Sequence, residues 1–250
     1  MEKNRKYYIT GDVHGDYRVI KNYVEQGFFD PKDDNILIIL GDFGANYYLN
    51  YRDEHFKEKL GRYNLTYFVI RGNHEQRPSI CFQENPDKWH TEEVFENYCY
   101  VENDYPYIKY ALDIPSQYYF GDKKVLVYPG AYSVDKYYRL AKGWSWFPGE
   151  QMTGAEKRRG MKLLDLCGNQ CDYILAHTCP RSFEPFISDL FLSSLDQSEI
   201  DKSTEIYLDQ VVNNCDYQRF YFGHYHDDRN IIPYQATMLY RGVLELGEKL

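Results

Sequence analysis

Short apolar runs recur along the chain, and each is followed closely by a glycine or a polar residue. Residues 36–40 are five consecutive aliphatic side chains that stop at Gly41. Runs of this length, rich in β-branched and aromatic residues and bounded by turn-forming residues, predict buried strands. The predicted strands are residues 6–10, 35–40, 65–70, 124–128, 173–176 and 220–222.

Several longer stretches between these runs have apolar residues at helical spacing. They are residues 16–26, 53–62, 153–166 and 203–213, and the third opens with the capping-box pair Thr153 and Glu156. Strands that alternate with helices predict an α/β layered fold. We expect residues 236–246 to add a strand that ends a second sheet. No linker rich in proline, glycine or serine divides residues 1–250, which predicts a single domain.

The charge of the chain narrows the class of partner. Its 250 residues carry a formal net charge of −9. This balance argues against an extended nucleic-acid surface, because such surfaces neutralise phosphates with basic side chains. A small phosphate ester remains compatible, since bound metal can invert the local field. The oligomeric state is left open.

The N-terminal sequence and the cysteines predict a cytoplasmic protein that does not enter a membrane. The first fifteen residues contain no apolar stretch of the kind that a secretory signal needs. The aliphatic run at 36–40 is far too short to span a bilayer. Six scattered cysteines without a signal are typical of reduced thiols.

Polar residues of a metal-binding type stand at the ends of five predicted strands. Five motifs carry them: GDVHG at 11–15, GDFG at 41–44, GNHE at 72–75, AHT at 176–178 and GHYH at 223–226. Ligands of open α/β sheets bind outside the carboxyl ends of the strands, so these motifs are expected to converge on one site. The candidate residues are Asp12, His14, Asp42, Asn73, His74, His177, His224 and His226.

The chemistry of this set favours particular metals. It offers imidazole, carboxylate and one amide oxygen, without a thiolate, and this mixture suits manganese, iron or zinc better than calcium or copper(I). The alternative is a set of buried polar residues that satisfy one another by hydrogen bonds. Five motifs in this order, each at a strand end, favour the metal site.

The pattern from Gly11 to His226 resembles the calcineurin-like metallophosphoesterase superfamily, in its bacterial or phage-type members. The resemblance implies a β-sandwich of two mixed sheets flanked by α-helices, in four αββα layers. It implies one divalent ion on Asp12, His14, Asp42 and His226, and a second on Asp42, Asn73, His177 and His224. His74 matches the family's non-ligand histidine, which protonates the leaving oxygen or steadies the transition state.

The function implied is hydrolysis of small phosphate esters, either phosphodiesters or nucleotide-like compounds. Two ions about 4 Å apart clamp a phosphoryl group and lower the pKa of a shared water, so that a hydroxide attacks phosphorus. We expect manganese, with iron, zinc or magnesium as alternatives.

Two other functions are weighed against this one. GDVHG and RGNHE also look like the serine/threonine protein phosphatase branch, but Ala45 and Asn46 stand where that branch has an aspartate and an arginine. A non-catalytic binding scaffold would be free to lose ligands or His74, yet all are kept. Protein phosphatase is therefore the runner-up.

An aromatic-rich segment at about 129–150 follows a predicted strand and is expected to overhang the site. Its candidate substrate contacts are Tyr132, Ser133, Asp135 and Arg139, and Arg77 after GNHE is a further candidate for phosphate binding. The alternative is a packed surface loop whose aromatic residues cover the sheet, and this alternative is favoured for Trp144 and Trp146.

Overall fold

The computed structural model describes residues 4–191 and 196–250. Within these residues, two mixed sheets of seven and six strands pack face to face, with helices on their outer sides. Strands β1 to β13 are Arg5–Thr10, Asp34–Ile39, Thr66–Val69, Trp89–Val94, Asn97–Glu102, Ile108–Ala111, Ser116–Phe120, Lys123–Tyr128, Gln170–Ala176, Asp216–Phe222, Arg229–Ile231, Ala236–Met238 and Val243–Glu245. Helices α1 to α6 are Tyr17–Glu25, Tyr51–Leu60, Pro78–Glu84, Lys136–Lys142, Gly154–Leu166 and Ser203–Asn214. The predicted α/β sandwich is confirmed.

The two sheets share one plan around their central strands. The first has the order β13-β1-β2-β3-β6-β5-β4, and the second has the order β11-β12-β10-β9-β8-β7. Strands β1, β2 and β3 are parallel, as are β8, β9 and β10. Parallel neighbours bring their carboxyl ends to one edge, so the loops after these six strands can meet there.

Three apolar clusters fill the space between the four layers. Along β2, Leu37 and Ile39 face the helices, whereas Ile36 and Ile38 face the opposite sheet. This alternation follows from the two-residue period of a strand, and it explains why a strand buried on both faces has a continuous apolar sequence. The cluster between the sheets draws on both of them, which favours the predicted single domain.

The prediction for residues 236–246 is wrong in part. Strand β12 does belong to the second sheet, but β13 pairs antiparallel with β1 of the first. The chain changes sheet between them, where the backbone N–H of Gly242 donates to Asp228. Strands β4 to β7 were not predicted at all, because their charged and tyrosine-rich sequences lack a clear apolar run.

The location predictions are tested only in part. No helix among the described residues is long and apolar enough to cross a membrane. All six cysteines, which fall in the described residues, are free thiols. The cytoplasmic location stays a prediction.

A buried ion pair fixes α2 to the first sheet. Nζ of Lys57 lies 2.5 Å from Glu102 on β5, and the two side chains are only 5% and 11% exposed.

We expect Lys57→Met to lower the free energy of unfolding by about 3–5 kcal/mol, because it leaves a buried carboxylate without its partner. Urea denaturation measures this change. Lys21→Met, which removes an exposed pair with Glu25, should cost less than about 0.5 kcal/mol; equal losses would contradict the expectation.

Candidate metal centre

The five motifs meet at the carboxyl edge of both sheets. Asp12 follows β1 by two residues, Asp42 follows β2, and Asn73 and His74 follow β3. From the second sheet, His177 comes directly after β9, and the GHYH motif follows β10. Backbone hydrogen bonds join the loops, for example from Gly223 N to the carbonyl oxygen of His177 at 3.0 Å. The structure therefore brings all eight candidate residues together.

Four of these residues have left-handed backbone conformations, which are uncommon without glycine. The φ angles are +47° at Asp42, +55° at His14, +71° at His224 and +56° at His226. Backbone N–H groups help to hold them, as where His14 N donates to the carbonyl oxygen of Asp42 at 2.7 Å. Such conformations cost free energy and persist where surrounding structure enforces them, most often at functional sites.

Two motif glycines are required by the carboxylates beside them. A Cβ atom on Gly72 would overlap the side chain of Asp42, and one on Gly223 would overlap Oδ1 of Asp12. Both motifs therefore begin with glycine because the neighbouring loop's carboxylate occupies the space that a side chain needs.

Asp12 has one carboxylate oxygen that accepts no hydrogen bond from the described residues. The residue is fully buried, and its Oδ1 accepts from the backbone N–H of His224 at 3.0 Å. Its Oδ2 has no hydrogen-bond partner among the described residues, yet Nε2 of His226 lies 3.2 Å away and Nε2 of His14 lies 3.7 Å away. A buried, unpaired carboxylate oxygen beside two imidazoles fits a divalent cation.

Asp42 stands between the two halves of the site. Its Oδ1 accepts from the backbone N–H of His74 at 2.9 Å, and its Oδ2 lies 3.5 Å from Nε2 of His177. Burial acts to raise the pKa of this carboxyl, but the rings of His74 and His177 hold it well below its usual range. Ligand atoms of Asp12, Asp42 and His177 lie within 4.8 Å of one another, and those of Asp12, His14 and His226 form a second such group, so Asp12 belongs to both groups.

A chain of hydrogen bonds orients the remaining ligands. Nδ1 of His177 donates to the backbone carbonyl of Leu40 at 2.7 Å, which turns Nε2 towards the site. Nε2 lies 2.7 Å from Oδ1 of Asn73, whose Nδ2 donates to the hydroxyl of Ser133 at 2.9 Å. Outer contacts of this kind fix the tautomer and orientation of metal ligands.

The pKa of each histidine reflects its position in the cluster. Burial acts to lower the pKa of His177, but the neighbouring Asp42 carboxylate outweighs the effect of burial and raises this pKa to about 9. Burial and the neighbouring His177 hold the pKa of His224 well below its usual value. A proton on His177 thus compensates the buried carboxylates, and a bound cation would replace it.

His74 occupies the position between the carboxylates and Arg139. Nη2 of Arg139 lies 3.0 Å from Nε2 of His74, while the same guanidinium binds Asp135 and the hydroxyl of Tyr47. Burial chiefly lowers the pKa of His74, Asp42 acts to raise it, and Arg139 lowers it further. Because a guanidinium only donates, Nε2 of His74 is the acceptor here.

Two cavities open on this cluster, and both are lined by Asp42 and His74. The larger, of about 430 Å³, also contacts Tyr132 and Asp135 from the aromatic-rich segment. The smaller, of about 300 Å³, contacts Arg139. The described lining of the two cavities does not include Tyr137, Tyr138, Trp144 or Trp146, so most of that segment's aromatic residues lie away from the cluster.

Two of the expected substrate contacts take other positions. The guanidinium of Arg77 is nearly buried and is committed to Glu156 and to the carbonyl oxygens of Gly149 and Gln151. In the structure Arg77 therefore braces several loops, and the phosphate contact stays a prediction. Ser133 is 1% exposed and points at Asn73, so it orients a candidate ligand where a substrate contact was predicted.

Sequence reasoning missed several residues that line the cavities. Phe191, Lys202 and Glu205 line the larger one, and no local motif marks them. Tyr225 and Tyr47 had a usable signal, because Tyr225 lies inside GHYH and Tyr47 lies just after GDFG.

The geometry defines the class of a metallohydrolase site, with buried carboxylates and imidazoles at the mouth of cavities. A model of the calcineurin-like phosphoesterase family matches residues 5–228, and the chain belongs to this family. The family uses a dinuclear divalent metal centre and hydrolyses phosphoesters. The candidate groups found here, Asp12 with His14 and His226, and Asp12 with Asp42 and His177, fit such a centre.

Two solved structures resemble this chain at low sequence identity. TT1561 of Thermus thermophilus is 12% identical, with coverage of 97% of this chain and 98% of its own, and a TM-score of 0.52. Phosphopantetheinyl hydrolase (PptH) from Mycobacterium tuberculosis is 11% identical, with coverage of 96% and 89%, and a TM-score of 0.47. The first likeness shows the fold alone, and the second is too weak to support more. A search of curated proteins finds no significant match.

The central place of Asp42 leads to an expectation about metal content. We expect about two ions per chain in manganese-loaded protein. Asp42→Asn should cause the largest loss of metal of any single ligand change, because the family resemblance assigns this carboxylate to both ions. Elemental analysis after gel filtration measures this. Asp122→Asn, in an exposed side chain, is the matched control; one ion or none in the unaltered protein would contradict the expectation.

Proposed function

We propose that this chain hydrolyses small phosphate esters, preferentially phosphodiesters or nucleotide-like compounds, with two divalent ions held by its five motifs. The observation that carries the proposal is the position of Asp42 and His74, which line two separate cavities at once. A phosphorus centre placed against them has room for one substituent on each side.

The ligands are assigned as the resemblance to the calcineurin-like phosphoesterases implies. Asp12, His14 and His226 would hold one ion with Asp42, and Asn73, His177 and His224 would hold the other, with Asp42 shared. When bound, such a pair supplies Lewis-acid activation of a water molecule and of the phosphoryl oxygens. Manganese is the proposed metal, because the ligands combine imidazole with hard oxygen donors.

His74 is the proposed proton donor to the leaving oxygen. In the structure its Nε2 accepts from Arg139, so a neutral ring carries its proton on Nδ1. A phosphate oxygen that attracts the guanidinium would free Nε2 to take a proton from solvent. The ring would then deliver this proton to the leaving oxygen as its bond to phosphorus breaks, and would return to the neutral form with its proton on Nδ1. Arg139 thus has two roles in the proposal: it binds the anion, and it releases His74 when it does so.

The runner-up functions are less well supported. At the two positions that would distinguish a protein phosphatase, Ala45 and Asn46 are buried and provide neither a carboxylate nor a guanidinium. A cavity of about 430 Å³ suits a small organic substituent better than an extended phosphopeptide. A binding scaffold would not need His74 beside a complete ligand set.

A substrate panel tests the proposal. With manganese-loaded protein, a bis-aryl phosphodiester, an aryl monoester with the same leaving group, a cyclic nucleotide, a dinucleoside polyphosphate and a phosphopeptide are compared by kcat/KM. We expect a diester or nucleotide to be best. If the phosphopeptide is best, the protein phosphatase hypothesis replaces this one, and no hydrolysis of any member would favour the scaffold.

The proton-donor role of His74 has its own signature. His74→Ala should lower kcat by about 100-fold or more on substrates with poor leaving groups, because such groups need protonation. The loss should shrink for very acidic leaving groups, and metal content should be retained. An equal loss across leaving groups of different pKa would indicate electrostatic stabilisation in place of acid catalysis.

Arg139 and Trp144 form a matched pair on one segment. Arg139→Ala should raise KM for a diester by about tenfold, since a charge-assisted hydrogen bond to phosphate is lost. Trp144→Ala should leave KM within about twofold, because this ring is half exposed and packs on Tyr138. Steady-state kinetics measures both, and equal effects would mean that the segment acts only through its folding.

A further inference from the structure

The larger cavity has walls of a different character from its floor. Its floor is the proposed metal cluster, including Asp42 and His224, whereas its walls are mainly aromatic and aliphatic. The apolar wall residues are Tyr132, Val134, Leu190, Phe191, Ile200 and Tyr225, and the polar ones are Asp135, Gln197, Lys202 and Glu205. A cavity of about 430 Å³ with apolar walls and a few fixed polar groups beside a cluster of possible metal ligands has the size of a small-molecule subsite.

One buried polar group in this wall lacks a partner. Glu205 lines the cavity and is only 3% exposed. Its Oε1 accepts from the hydroxyl of Thr178 at 2.9 Å, but its Oε2 has no hydrogen-bond partner among the described residues. Burial raises the pKa of this carboxyl to about 7, as expected where the charge is poorly compensated.

The hydrogen bonds around Glu205 have a fixed direction. Since its carboxylate accepts the proton of Thr178, the hydroxyl of Tyr225, 3.1 Å from Thr178, must donate to that residue in turn. Both hydroxyl protons are therefore used, and neither reaches Oε2 of Glu205, which is an acceptor when the carboxyl is ionised. Thr178 follows His177, and Tyr225 follows His224, so the same two loops position the metal ligands and this acceptor.

Two aromatic rings and a lysine line the same cavity as Glu205. The ring centroids of Phe191 and Tyr225 lie 6.2 Å apart, at an angle of 37°. Nζ of Lys202 lies 5.1 Å from the centroid of Phe191, against its face. Aromatic faces bind flat heterocycles by stacking, and a carboxylate reads the N–H groups on their edges. An aliphatic substituent would leave Oε2 unsatisfied, and a sugar alone would not use the rings.

We propose that this cavity binds a nucleobase, attached through its sugar to the phosphate that is hydrolysed, and that Glu205 selects it by accepting an N–H hydrogen bond. Guanine fits best, because it presents adjacent N–H donors on one edge. The inference rests on the proposed function and names the substrate class for the same site.

Binding of inert probes tests the proposal without turnover. The probes are the 5′-phosphonates of guanosine and of ribose, in which a methylene group replaces the ester oxygen. Calorimetric titration of the manganese-loaded protein should show at least about tenfold tighter binding of the guanosine probe, from stacking and one charge-assisted hydrogen bond. Equal binding of the two probes would overturn the inference.

Variants separate the role of Glu205 from general effects. Glu205→Gln should weaken the guanosine probe by about tenfold and the ribose probe by less than twofold, since only the base meets this side chain. Glu199→Gln makes the same chemical change at an exposed position and should alter neither. Loss of both probes to the same extent in Glu205→Gln, with thermal unfolding unchanged, would contradict base recognition.

A second variant covers the case in which Glu205→Gln does not fold. Phe191→Leu keeps an apolar wall but removes a stacking face, so it should weaken the guanosine probe by about fivefold and spare the ribose probe. No change for either probe would overturn the inference. If the guanosine probe binds as expected but no phosphate ester is hydrolysed, the nucleobase site stands and the proposed function fails. If phosphate esters are hydrolysed but the guanosine probe binds no better than the ribose probe, the proposed function stands and the nucleobase site fails.

Discussion

Two buried carboxylates, Asp12 and Asp42, set the conditions that the rest of the site meets. Their oxygen atoms lie within 4.8 Å of each other and of a ring nitrogen of His177. Like charges this close and this deeply buried destabilise the fold unless protons, N–H dipoles or cations compensate them. Backbone amides of His224 and His74 supply part of that compensation. Divalent ions can compensate the remaining negative charge, so the same arrangement that destabilises the fold favours the binding of metal.

The surrounding backbone follows from the same constraint. Each carboxylate is bound by an amide from a loop of another strand, which joins four loops, and the bond from Gly223 N to the carbonyl oxygen of His177 adds the fifth. Gly72 and Gly223 are needed where a loop passes a carboxylate, and positive φ angles at His14 and Asp42 turn the chain sharply after its strand. The sheets contribute rigidity: β1 to β3 and β8 to β10 are parallel and buried at their carboxyl-terminal ends, so these strained loops start from fixed points.

The central strands and the candidate ligands were predictable because their signals are local. An aliphatic run such as 36–40 and a motif such as GDVHG each lie within a few residues, and the order of the motifs limits the alternatives. Strand β4 was not predictable in this way, since its Glu92 is anchored by Lys109 of β6 and not by a local pattern. The contacts of Arg77 were not predictable for a related reason: its partners Gly149 and Glu156 are more than seventy residues away.

Chemistry and specificity are therefore encoded differently in this chain. The atoms that would act on phosphorus sit in short motifs at strand ends, whereas the cavity walls combine distant segments, with Tyr132 after β8, Phe191 before α6 and Glu205 within α6. Thr178 and Tyr225 connect the strand-end motifs to the cavity walls, because each adjoins a candidate ligand and belongs to the hydrogen-bond chain of Glu205. Changes in the wall segments could alter which substituent is accepted without moving the carboxylates. In the fold that this family shares, substrate choice can then vary while the metal centre stays fixed.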